Sequence, residues 1–153
     1  MTAAERLAAL EITLPELPPR IANYLWHKQA GDLIWISGQG PRLPDGAFVT
    51  GKVGADHTLQ DAYGHARLVG LDLLAVAQAA AGSLDRVDVV KLLGMVNATP
   101  DFAEHGKVID GCSDLLVDVL GEQRGQHARA SVGMGSLPGQ ITVEIEAIIR
   151  VCE

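Results

Sequence analysis

Between Thr58 and Gly82 apolar and small residues recur at three- and four-residue intervals, at Ala62, Ala66, Val69, Leu73, Val76 and Ala80. That spacing predicts a long helix with one buried stripe, narrow enough to lie close against a sheet. Thr58 with Asp61 forms a variant capping box at its start, and Gly82 is a natural stop. A second helix is predicted from Phe102 to Leu120, closed by Gly121. A short one from Thr2 to Glu11 has a Thr2–Glu5 capping box and Leu7 and Leu10 on one side. Pro15, Pro18 and Pro19 then force a loop.

Other stretches repeat with period two or are rich in β-branched and aromatic residues. Ile21 to His27 and Asp32 to Ser37 read as strands joined around Ala30-Gly31, Phe48 to Thr50 as a short strand, and Val87 to Ala98 as a longer one. Two alternating runs, His127 to Met134 and Thr142 to Ile149, flank Leu137-Pro138-Gly139 and predict a terminal hairpin. The order αββ(β)αβαββ lacks strict strand–helix alternation. It predicts an α+β domain, a mainly antiparallel sheet with two long helices on one face. Residues 1–20 are then an N-terminal helix and Pro-rich lead-in packed on a single domain of 21–153.

In the predicted hairpin, His127, Arg129, Ser131 and Gly133 share one face, and Thr142, Glu144, Glu146 and Ile148 share another. Burying the apolar sides together sets Arg129 opposite or diagonal to Glu144 or Glu146, because a one-residue slip would turn every side chain over. Such a group reads either as a solvated ion pair, worth about 1 kcal/mol or less, or as a carboxylate clamp with a carboxylate beside it to hold water.

Composition narrows the classes. The 153 residues suit one domain, and a net charge of −7 with 4% aromatics argues against a nucleic-acid groove or an anionic membrane surface. The N-terminus lacks a basic, apolar leader, and the longest apolar segment, Leu68 to Ala81, is interrupted by Gly70, Asp72 and Gln78. A cytoplasmic protein with Cys112 and Cys152 reduced is expected. Five histidines without HxH or HxxxH spacing give no metal motif. Cys112 has no histidine placed by sequence to activate it, and Trp26 and Trp35 read as packing or subunit contacts.

Three motifs carry a resemblance. Tyr24 lies thirteen residues before Ser37 in the turn Ile36-Ser-Gly-Gln-Gly-Pro41; Pro100-Asp101-Phe102 precedes the second helix; and ARASVGMGSLPGQITVEIEAI joins an Arg, an LP turn and a VEIEA strand. Together they resemble the YjgF family, also called Rid (reactive intermediate deaminase) or endoribonuclease L-PSP, over roughly Ala22 to Val151. The resemblance implies a chorismate-mutase-like fold, a homotrimer with clefts between subunits, and cofactor-free hydrolysis of 2-imino or 2-enamino acids to 2-keto acids. It implies that Arg129 grips the substrate carboxylate and Glu144 places or activates water. Tyr24 would line the pocket, and Ser37, Gly38 and Ser131 would belong to the ligand-binding surface. Asp110 stands approximately where the family has a pocket Asn, which puts a negative charge near an anionic substrate. With the longer segment around it and the N-terminal helix, it marks a divergent subgroup. A non-catalytic small-carboxylate-binding protein of the same fold is the alternative.

Overall fold

A computed structural model describes residues 1–20 and 22–153. Its elements are α1 (Ala3–Ala9), β1 (His27–Ala30), β2 (Leu33–Gln39), α2 (Leu59–Ala81), β3 (Val87–Asn97), α3 (His105–Leu120), α4 (Glu122–Gly125), β4 (Ala128–Met134) and β5 (Val143–Val151). Both capping boxes form: Thr2 accepts from the Glu5 amide, and Thr58 from the Asp61 amide. Gly82 ends α2 in the left-handed region at φ 78°, a conformation that costs glycine nothing.

Five strands form one sheet in the order β1-β2-β5-β3-β4, antiparallel except for the parallel pair β3–β4. One sheet face is dry: Ile34, Ile36, Val89, Leu92, Val96, Val143, Ile145, Ala147 and Ile149 lie in the core with the inward residues of α2 and α3. The two helices meet closely where Gly111 of α3 faces the Tyr63 carbonyl of α2, a contact that leaves no room for a Cβ. The opposite sheet face carries Trp35, Glu144, Glu146 and Ile148, and no helix among the described residues lies over it.

The architecture is the α+β arrangement that the pattern predicts and the chorismate-mutase-like one that the resemblance implies, with corrections inside it. The first strand runs His27–Ala30 rather than ending at His27; the part of the expected strand at Ile21 lies outside the described residues. Phe48 and Thr50 make isolated bridges to Arg42 and Ile141 instead of a strand. The second long helix begins at His105, since Thr99 to Glu104 turn before it.

The terminal hairpin does not form. β4 pairs with β3, Arg129 facing Leu92, and β5 lies on the other side of β3, with Ala147 facing Leu92. Arg129 is therefore not opposite Glu144 or Glu146. The physical reason is α3: a helix between β3 and β4 carries the chain back along the sheet, so β4 runs parallel to β3. Pro138–Gln140 is a single 3₁₀ turn in the connection that passes to the far side of β3.

The N-terminal segment lies against the main body. The Ala3 amide donates to Asp85 Oδ1 at 2.8 Å, and Ile12, Leu14 and Leu17 pack on the core. Asp72, 4% exposed within α2, pairs with Arg42, which also donates to the Glu16 carbonyl at 3.0 Å. Burial pushes the Asp72 carboxyl up, and the Arg42 guanidinium opposes that shift.

Candidate functional site

The expected site residues fall into two groups, one on each face of the sheet. Arg129, Ser131 and Gly133 occupy alternate positions of β4, facing Leu92, Gly94 and Val96 across the strand pair. Leu92 and Val96 are buried in the core, and Gly94 lies directly beneath Ile109 of α3. The polar stripe of β4 is thus turned toward α3. It is stable there because α3 offers a matching stripe at Gly106, Asp110 and Ser113, spaced i, i+4, i+7.

Arg129 draws on all three. Nη1 donates to Ser113 Oγ at 2.9 Å, Nη2 donates to the Gly106 carbonyl at 3.1 Å, and Nη2 lies 2.8 Å from Asp110 Oδ1. The chain of contacts continues to His127. Its Nδ1 lies 2.6 Å from the Gly125 carbonyl, which can only accept, so Nδ1 carries the proton. Nε2 is then the acceptor for the Ser113 hydroxyl at 2.9 Å. Burial lowers the His127 pKa, the Arg129 charge lowers it further, and the Gly125 bond opposes both. The neutral ring that this favours is the form the network needs. At the start of α3, His105 lies over Gly133 and edge-on to Phe102, with ring centroids 5.3 Å apart. Ser131 Oγ is buried without a hydrogen-bond partner among the described residues.

The second group lies on the uncovered face. The β2–β5 pairing shifts by one residue between Ile36 and Gln39, a bulge at Ser37-Gly38 that re-aims the local backbone. Gly38 packs against the Glu144 carboxyl so closely that a Cβ would overlap Oε1. Burial pushes the Glu144 carboxyl above the usual glutamate range, and the neighbouring Glu146 charge adds to the shift. Ser37 donates its hydroxyl to the Leu25 carbonyl at 2.7 Å, tying down the segment that holds Tyr24. Tyr24, 45% exposed, meets Trp26 edge-on and lines a recess of about 410 Å³ with His27, Trp35, Ser37 and Glu146.

The structure therefore brings Arg129, Asp110 and Ser131 together, and separately Gly38 with Glu144, near Tyr24 and Ser37. Within one chain the guanidinium and the Glu144 carboxylate sit on opposite faces. Sequence reasoning missed Gly106 and Ser113 and left His127 without a partner. The available signal was the polar interruption of the apolar face of α3 at positions 106, 110 and 113. Among the described residues no group of three or more His, Cys, Asp or Glu is placed to hold a metal ion, and no helix is long and apolar enough to cross a membrane. Burial pushes the Cys112 thiol up to about 12, which makes it inert at neutral pH.

Comparison with known proteins identifies relatives over nearly the whole chain. The chain is 39% identical over 148 residues to Protein TCP17 of Trypanosoma cruzi, covering 96% of this chain and 92% of that one. The crystal structure of Atu1372 from Agrobacterium tumefaciens, a protein of unknown function, is 42% identical with a TM-score of 0.88, covering 98% of this chain and 94% of that one. An endoribonuclease-family structure from Shewanella oneidensis is 31% identical with a TM-score of 0.93, covering 99% of this chain and 100% of that one. Residues 4–141 match the YjgF/chorismate mutase-like (endoribonuclease) family, and the chain belongs to that family.

Proposed function

We propose that this protein hydrolyses reactive 2-imino or 2-enamino acids, or a related small carboxylate, to the keto acid and ammonia without a cofactor. The observation that carries the reading is the Arg129 guanidinium: it is 26% exposed, braced by Ser113 and Gly106, and in contact with a carboxylate, that of Asp110. A guanidinium held in this way is prepared for a carboxylate ligand.

The chemistry asks for positioning more than for a strong base, since a protonated imine is already electrophilic. Water attacks C2 while Glu144 accepts its proton. The resulting carbinolamine loses ammonia as Glu144 returns a proton to nitrogen; the C–N bond breaks, the C2 hydroxyl gives its proton to the departing ammonia, which leaves as ammonium, and the keto group forms. A carboxyl whose pKa is raised by burial is a better proton acceptor than an ordinary glutamate and can return the proton. Because Arg129 and Glu144 occupy opposite sheet faces of one chain, the cleft is completed by a second copy, in a homotrimer assembled through the uncovered face.

The test is keto-acid release from imino acids generated by an amino-acid oxidase. Wild type accelerates release, and Arg129→Ala lowers kcat/KM by about a hundredfold or more. Full activity in Arg129→Ala overturns the reading. The Asp110 contact also favours a second reading, a protein that binds a small carboxylate without turnover. Saturable, Arg129-dependent binding with no product would select it. RNA is not favoured as substrate by a chain with a net charge of −7.

A further inference from the structure

We infer that Asp110 is the specificity-determining residue of the Arg129 site: an internal carboxylate that occupies the ligand's place and must be exchanged for the ligand's own. The inference rests on the carboxylate-binding role proposed for Arg129.

A guanidinium takes a carboxylate in two bidentate ways, end-on through Nη1 and Nη2 or side-on through Nε and Nη2. Both use Nη2. In this protein Nη2 already donates to the Gly106 carbonyl at 3.1 Å and touches Asp110 Oδ1 at 2.8 Å. Nη1 is committed to Ser113 at 2.9 Å, and Ser113 is itself committed to His127. The helix carbonyl is fixed by α3, whereas Asp110 is a side chain with its own rotamers. Asp110 is therefore the partner that yields.

Exposure decides whether it yields or blocks. The Asp110 side chain is 44% exposed and that of Arg129 is 26% exposed. An ion pair this open is weak and exchangeable, so Asp110 lowers affinity for a monocarboxylate without abolishing binding. Lys107, one turn earlier on α3, is bonded to Glu104 at 2.6 Å, so its charge is already shared with another carboxylate. The Ser131 hydroxyl, buried and without a hydrogen-bond partner among the described residues, lies on the same face of β4, two residues along. It gives an incoming ligand a further polar contact once Asp110 has moved. A site built in this way discriminates by charge: Asp110 weakens the hold of Arg129 on a small anion and leaves a neutral analogue of the same shape little affected, and removing its charge strengthens binding of the anion alone.

The experiment compares wild type, Asp110→Asn and Arg129→Ala by calorimetric titration with 2-oxobutanoate and with 2-oxobutanamide, its uncharged analogue. Asp114→Asn, a loss of one carboxylate elsewhere on α3, controls for net charge and helix stability. Asp110→Asn is expected to bind 2-oxobutanoate about tenfold more tightly than wild type, with amide affinity within about twofold and Asp114→Asn unchanged. In turnover the gain falls in KM and not in kcat. Equal 2-oxobutanoate affinity in wild type and Asp110→Asn, with binding lost in Arg129→Ala, overturns this inference and leaves the proposed function standing. Binding that survives in Arg129→Ala, or is absent from both wild type and Asp110→Asn, overturns both.

Discussion

The two faces of the sheet treat charge in opposite ways. On the helix-covered face, Arg129 is held by a serine hydroxyl, a helix carbonyl and a carboxylate, and its neighbours are themselves hydrogen-bonded. On the uncovered face, Glu144 is pressed against Gly38 beside a second carboxylate, an environment that disfavours its charged form. The first group is electrostatically satisfied within one chain. The second carries a desolvation cost that no cation among the described residues offsets, and under the proposed function that cost sets the Glu144 pKa for chemistry.

Breaking the uncovered face should have the largest effect. Trp35, 44% exposed on that face, is a subunit contact in the proposed trimer. Trp35→Glu would bury an unpaired charge there. Light scattering is expected to show monomers at micromolar concentration, with activity down by more than about a hundredfold. An intact trimer would show that assembly uses another surface.

Glu144→Gln sharpens the contrast at the level of chemistry. It keeps the shape and removes the proton acceptor, so kcat should fall by about 10²–10³ with KM within about threefold. Steady-state kinetics read the split, and a change confined to KM would make Glu144 a binding residue.

The same variant should move stability in the opposite direction. The folded-state pKa of Glu144 is raised, so the folded protein holds this proton more tightly than the unfolded chain does. That contribution is complete below the ordinary glutamate pKa and is lost as pH rises through the folded value. At pH 7 Glu144→Gln should therefore raise Tm by roughly 2 °C, with the gain vanishing near pH 4. Thermal melts at the two pH values test the sign.

The smallest effect is expected on the satisfied face. Ser113→Ala removes one brace from Arg129 and leaves the Gly106 and Asp110 contacts, so KM should rise about threefold with kcat nearly unchanged. A large drop in kcat would instead place the Ser113–His127 pair in the chemistry.

The same contrast explains what could be read in advance. Local signals were fully legible: Thr2 with Glu5, Thr58 with Asp61, and Gly82 each act within a few residues of themselves, and the structure uses all of them. Alternation correctly grouped Arg129 with Ser131 and Val143 with Ile145 on their own strands. It could not say which strands are neighbours. The hairpin reading assumed that the two runs pair with their apolar sides buried together, but α3 meets the β4 stripe with polar partners of its own and turns it inward. Gly38 was named from the family resemblance, and Glu144 from alternation with its role taken from the resemblance. Their direct contact depends on a bulge that period-two alternation does not contain.

The position of β5 has a consequence for how the molecule is made. The last strand of the chain, Val143–Val151, lies in the middle of the sheet between β2 and β3. As the polypeptide emerges from the ribosome, the β1–β2 hairpin and the β3–α3–β4 unit are two pieces with unpaired edges, joined through α2 and through Val53, which bridges to Ala98 beyond β3. Nascent chains stay open to edge-to-edge association until the nine residues of β5 arrive. The strand that closes the gap also delivers Glu144, so a prematurely terminated chain lacks both a continuous sheet and the carboxylate.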